Sequence, residues 1–84
     1  MAKNLRVGAT VYRVRDMVLH QGAVEEVSCG GACKVMWLKP ETEWKGSSTR
    51  EYPCDLYRTP KRAILAYLRR IKRYLEIQQL ELRD

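Results

Sequence analysis

After Thr59 and Pro60 the chain contains no glycine and no further proline, and everything from there to Arg83 reads as one helix. Thr is a favoured N-cap, because its hydroxyl accepts from an otherwise unpaired first-turn N–H. Pro suits the first helical position, where its missing N–H costs nothing. At 1.5 Å per residue, about 24 residues make a helix of roughly 36 Å. In a chain of 84 residues such an element leaves material for only one small core, whose stability stands to gain from a partner or a second copy. Five-residue strands span only about 17–20 Å. The helix is therefore expected to overhang whatever it packs on.

Apolar residues in this helix recur at Ile64, Leu68, Ile71, Leu75 and Leu82, a 4-3-4-7 spacing that lines one stripe, with Tyr67 and Tyr74 at its edge. The expectation is that Ile64, Leu68 and Ile71 pack on the rest of the fold or on a second copy. Toward the C-terminus Leu75, Ile77, Leu80 and Leu82 spread further round the helix than one packing face needs. They form the candidate partner-binding end, open to a second chain or a groove on another protein.

Charge is concentrated on the same element. Residues 1–57 carry eight bases and seven acids, whereas residues 58–84 carry eight bases and three acids. Between Arg58 and Arg73 there are seven bases, five of them Arg, and no acid. Cations near a helix N-terminus oppose the macrodipole by a few tenths of a kcal/mol each. A sequence selected for helix stability alone would reverse the order. Arg in excess of Lys favours bidentate contact with phosphate or carboxylate. Arg62, Arg69, Arg70, Lys72 and Arg73 are the candidate phosphate-contacting set. A solvated basic face is the plain alternative.

The preceding residues read as short strands. Thr10–Arg15 alternates, with Val11, Arg13 and Arg15 on one face. Residues 16–21 read as a loop, Gly22–Val27 as a second strand and S-C-G-G-A (28–32) as a tight turn. In Cys33–Leu38, Cys33, Val35 and Trp37 point one way. Residues 39–47 are a polar loop holding Trp44, residues 48–52 a fourth strand, and residues 53–57 a short turn that places Leu56.

The segments V-G-A-T-V-Y-R-V (7–14), Q-G-A-V-E-E-V (21–27), C-K-V-M-W (33–37) and R-E-Y-P-C-D-L-Y (50–57) together resemble a small SH3-like barrel of the Tudor, KOW or chromo-barrel kind. The likeness is architectural and covers residues 7–58. It implies a single domain, mainly β with one helix: an N-terminal arm (1–9), a barrel of four or five antiparallel strands (10–58) and a long C-terminal amphipathic helix (59–83). Barrels of this kind bind nucleic acid, peptides or other chains, so the likeness assigns no function. The chain departs from the KOW pattern in lacking a glycine-rich first turn and in adding the long helix.

Trp37, within an apolar strand, reads as core, whereas Trp44, beside Lys45 and Gly46, reads as an exposed aromatic able to stack or anchor an interface. An aromatic cage for a methylated cation needs a cluster that the spacing does not place. His20, Cys29, Cys33 and Cys54 are four soft ligands with poor zinc spacing. A lone His with no fixed acid partner, and no nucleophile or phosphate-loop motif, gives no catalytic constellation. No cofactor is expected.

The reading that follows is a small accessory or regulatory nucleic-acid-binding protein. Phosphate contacts come from the basic helix, extended by Arg13, Arg15, Lys34, Lys45 and Arg50, with Trp44 stacking. The alternative is a protein-interaction module or inhibitor, of the size that phage and plasmid genes encode, docking on an acidic protein surface through the helix and Trp44. A homodimer through the C-terminal helix is compatible with both. With no apolar run of spanning length, no secretion signal in M-A-K-N-L-R-V-G and an odd number of cysteines, the expected setting is cytoplasmic, away from membranes.

Overall fold

A computed structural model of the chain describes residues 5–82. Four strands form one antiparallel sheet in chain order: β1 (Thr10–Arg15), β2 (Val18–Val27), β3 (Cys33–Lys39) and β4 (Ser48–Glu51). A 3₁₀ turn, Pro53–Asp55, leads to the helix α1 (Pro60–Glu81). The sheet is open, with no ladder between β1 and β4. The chain does return to β1 at one antiparallel bridge: the Tyr12 N–H donates to Tyr57 O at 2.7 Å, and the Tyr57 N–H to Tyr12 O at 3.0 Å.

The first hairpin is tighter than the sequence suggests. Residues 18–21, expected in a loop, belong to β2 and pair with β1. The connection is only Asp16 and Met17, at φ 51° and 64°. Two consecutive positive φ values match the right-handed twist of the flanking strands, but the sequence carries neither Gly nor Asn there to announce it. β2 then pairs with β3 across two register shifts, one at Gln21/Gly22 and one at Val24/Glu26.

The inward side chains alternate as strands require. Val11, Val24, Cys33, Val35, Trp37 and Leu56 are buried in one cluster, joined by Leu5. The N-terminal segment is therefore more than an arm: Leu5 enters the core, and residues 8–9 bond to β2 through Gly8 N–H to Val24 O (2.7 Å) and Val24 N–H to Ala9 O (3.0 Å). Residues 1–4 lie outside the described residues. At the sheet's edge a polar chain continues the core. Trp37 Nε1 donates to Thr49 Oγ1 (2.7 Å), Thr49 Oγ1 donates to Glu51 Oε2 (2.8 Å), and buried Glu51 pairs with Arg13.

The helix starts as the sequence indicates. Thr59 Oγ1 accepts from the Arg62 N–H at 3.2 Å, and Pro60 opens the first turn. Its docking face differs from the expectation. Ala63 is buried, Ala66 and Tyr67 are half-buried, and these with Arg70 face Arg13, Val14, Asp55 and Tyr57 across a residual gap of about 20 Å³. Ile64 and Leu68 are exposed and Ile71 is half-buried. Small Ala side chains let the helix approach the sheet closely, and Arg70 Nη2 reaches Asp55 Oδ1 at 3.0 Å beside that contact. At 100° per residue the Ile64–Leu68–Ile71 stripe sits about 120° round the helix from the docked face. α1 lies against β1 and part of β2, and its C-terminal half runs past the sheet along a molecule 50 Å in its longest dimension. None of the helices formed by described residues is long and apolar enough to cross a membrane.

Candidate nucleic-acid interface

The turn from Tyr57 through the Thr59 cap sets Arg58 beside the first turns of α1. Arg62, Leu65, Ala66 and Arg69 follow at helical spacing along the adjacent face. Together with Tyr57 and Arg70 they line a groove of about 690 Å³. Its lining combines Tyr57, Leu65 and Ala66 with four arginines, and no acid lines it among the described residues.

Asp55 approaches from the docked side and engages Arg70. That hydrogen bond raises the Arg70 guanidinium above its ordinary value, against the opposing effect of burial. Arg70 is thus partly spent on Asp55. Neither Arg62 nor Arg69 forms an ion pair with a described residue. Like charges gathered along one groove repel, and an anion bound among them relieves that repulsion. Planar forks beside apolar side chains fit phosphate oxygens together with a base or sugar face.

The structure sorts the predicted residues into separate places. Arg62, Arg69 and Arg70 share the groove, and Arg73 follows Arg69 one turn further on the same side of α1. Lys72 lies to one side of that row, roughly 60° round from Arg69 and 100° from Arg73 at regular helical spacing. Arg50 is on β4, opposite Lys34 in register, and lines a different cleft of about 660 Å³ that also holds Glu25 and Glu26. Lys45 is paired with Glu41 at 2.8 Å on the loop between β3 and β4. Arg13 and Arg15 share the Val11 side of β1, where half-buried Arg13 is held by Glu51 and exposed Arg15 carries its guanidinium 4.2 Å from the centre of the Trp44 ring.

Trp44 is likewise not the bare loop aromatic its polar neighbours suggest. It is half-buried against the core, with His20 edge-on at 6.4 Å and Arg15 over its face. His20 is buried between Trp44 and Trp37, its Nδ1 without a hydrogen-bond partner among the described residues. Cys29 and Cys54 are exposed and Cys33 is buried, its thiol raised above its ordinary value by desolvation. Among the described residues no three His, Cys, Asp or Glu side chains come together in a way that could hold a metal. Leu75, Ile77, Leu80 and Leu82 are all exposed on the overhanging end of α1.

Leu65 and Ala66 are groove residues with no signal of their own in the sequence, and Arg58 and Tyr57 join them there. Arg58 stands in the basic run, and the Thr59-Pro60 start signal beside it was the available clue that it turns back toward the helix. Compared with family models, with curated proteins and with solved structures, the chain matches none of them.

Proposed function

We propose that the chain binds nucleic acid through the groove lined by Arg58, Arg62, Arg69 and Arg70. The observation that carries this reading is the gathering of four arginines with Tyr57, Leu65 and Ala66 in one groove, with no acid in the lining among the described residues. The net charge of +6, most of it on the helical segment, supplies the longer-range attraction. Contacts of this kind fix position and carry little sequence information. The role that fits is accessory or regulatory, in the reducing cytoplasmic setting that three unpaired cysteines suit. The Tyr12–Tyr57 bridge and the 3₁₀ turn after β4 support reading the open sheet as an SH3-like barrel closed at one point.

An acidic protein surface is the second reading. The exposed Leu75, Ile77, Leu80 and Leu82 favour it, since phosphate contact gives them no role. Fluorescence anisotropy with labelled single- and double-stranded DNA and RNA separates the two. The nucleic-acid reading expects binding that an Arg62→Ala/Arg69→Ala variant loses. Binding that the variant keeps places the site elsewhere, and no binding to any of the four polymers transfers the weight to a protein partner.

A further inference from the structure

The longest unpartnered feature of the molecule is the apolar stripe of α1. Ile64, Leu68, Leu75 and Leu82 are exposed along it, and Ile71 is half-buried. With Gln78 in the remaining place the spacing is 4-3-4-3-4, the seam of a coiled coil. Regular spacing over about 27 Å of helix is not what scattered surface leucines produce. It is the pattern one helix presents to another.

Charge decides which helix. The segment from Lys61 to Arg73 carries six bases and no acid; the segment from Tyr74 to Leu82 carries two acids and no base. At regular helical spacing Lys61 and Lys72 are the bases nearest the stripe, and a parallel pair sets each beside its own copy. An antiparallel pair instead sets Lys72 near the partner's Glu76, on the same side of the seam. It also brings the cations near each helix N-terminus close to the negative C-terminal end of the other macrodipole. The charge order that works against an isolated helix becomes favourable in that pair. The seam fits as well. It is symmetric about residue 73, so antiparallel pairing layers Ile64 on Leu82, Leu68 on Gln78 and Ile71 on Leu75, the alternating contacts such pairs require.

We propose that α1 pairs antiparallel with α1 of a second copy along Ile64, Leu68, Ile71, Leu75, Gln78 and Leu82. Gln78, the one polar seam residue, layers on Leu68 in this register, a mismatch that lowers the stability of the pair. The stripe lies well round the helix from the docked Ala63 face, so the sheet does not occupy it. It also lies away from Arg62, Arg69 and Arg73, so the dimer leaves the basic side open. The inference does not rest on what the groove binds.

Multi-angle light scattering on the full chain at micromolar concentration tests it. The expected mass is twice the 9.8 kDa of one chain, falling by half in a Leu68→Glu/Leu75→Glu variant. Both positions are exposed, so the monomer should keep its fold, which far-ultraviolet circular dichroism checks. Orientation is read by disulfide formation in a Cys29→Ser/Cys54→Ser background. A mixture of Ile64→Cys and Leu82→Cys chains should cross-link, whereas neither chain alone should. A single-chain mass for the wild type, an unchanged dimer in the double variant, or self-cross-linking of Leu82→Cys alone would each overturn the proposal.

Discussion

Gly22 is where the sheet has least room. It lies on β2 at a register shift, opposite Val11 on one side and Trp37 on the other. A Cβ built there would meet Met36 O and Val35 Cγ1 at 2.7 Å and Trp37 Cε3 at 2.8 Å. Ordinary carbon contacts are about 3.5–4.0 Å. The carbonyl cannot swing away without breaking the β2–β3 ladder, and Val35 and Trp37 are both core residues. Gly22→Ala must therefore separate β2 from β3 or displace two core side chains. Overpacking a well-packed core costs typically 1–3 kcal/mol, and a backbone obstacle puts this case at the upper end, about 3 kcal/mol. For a domain of this size 1 kcal/mol shifts Tm by about 4–8 °C, so the expected fall is roughly 12–24 °C. Thermal denaturation by circular dichroism measures it, at matched protein concentration because self-association shifts apparent stability. Gly30→Ala is the control, since a Cβ at Gly30 meets nothing within 4 Å. Its Tm should stay within a few degrees, in keeping with effects below about 1 kcal/mol. A Gly22→Ala protein as stable as the control would refute the close approach of β3 to this position.

Three further outcomes follow from the geometry. Met17 sits at φ 64° and is exposed, and the left-handed conformation costs an L-residue roughly 1–2 kcal/mol. Met17→Gly should therefore stabilise by about 0.5–1 kcal/mol in urea denaturation, and a loss would contradict the two-residue turn. Glu51→Gln keeps the shape and an acceptor for Thr49 but leaves Arg13 without its counter-charge. Because Arg13 retains access to water, the expected cost is about 1–3 kcal/mol, below that of breaking a fully buried pair; unchanged stability would remove the pair from the account. With Cys29 and Cys54 exposed and Cys33 buried, a thiol reagent at neutral pH should label two cysteines at once and the third only on unfolding. Burial raises the Cys33 thiol, so the stability gained from keeping it neutral is present below the ordinary thiol range. It is lost as pH rises through the folded-state value. Rapid labelling of all three would contradict the core placement of Cys33.

The elements with strong local chemistry were readable before the fold was known. Thr59 and Pro60 mark the helix start because capping and a fixed φ act within one turn. Cys33, Val35 and Trp37 mark an inward face because strand alternation is local. Three features were not readable, each for a physical reason. The start of β2 was missed because Asp16 and Met17 adopt left-handed φ without the Gly or Asn that usually signals it. The docked face of α1 was missed because Ala63 and Ala66 carry little hydrophobic signal beside the Ile and Leu stripe. Periodicity reveals an apolar face but not what covers it. Trp44 reads as exposed from its polar sequence neighbours, whereas its spatial neighbours are Arg15, His20 and the core. For the site, the basic run was evident. Which bases share a groove depends on tertiary placement: Arg58, Arg62, Arg69 and Arg70 converge, while Arg50 and Lys45 lie elsewhere.

The central claim is that the groove's arginines meet phosphates, and the salt dependence of affinity tests it most directly. Each phosphate neutralised contributes about −0.9 to the slope of log K against log salt on duplex DNA and about −0.7 on single strands. With Arg58, Arg62 and Arg69 engaged and Arg70 held by Asp55, the slope should be roughly −2 to −3 on a duplex, and Arg62→Ala should reduce its magnitude by about 0.9. A flat response to salt, or a slope that Arg62→Ala and Arg69→Ala both leave unchanged, would contradict the phosphate-binding groove.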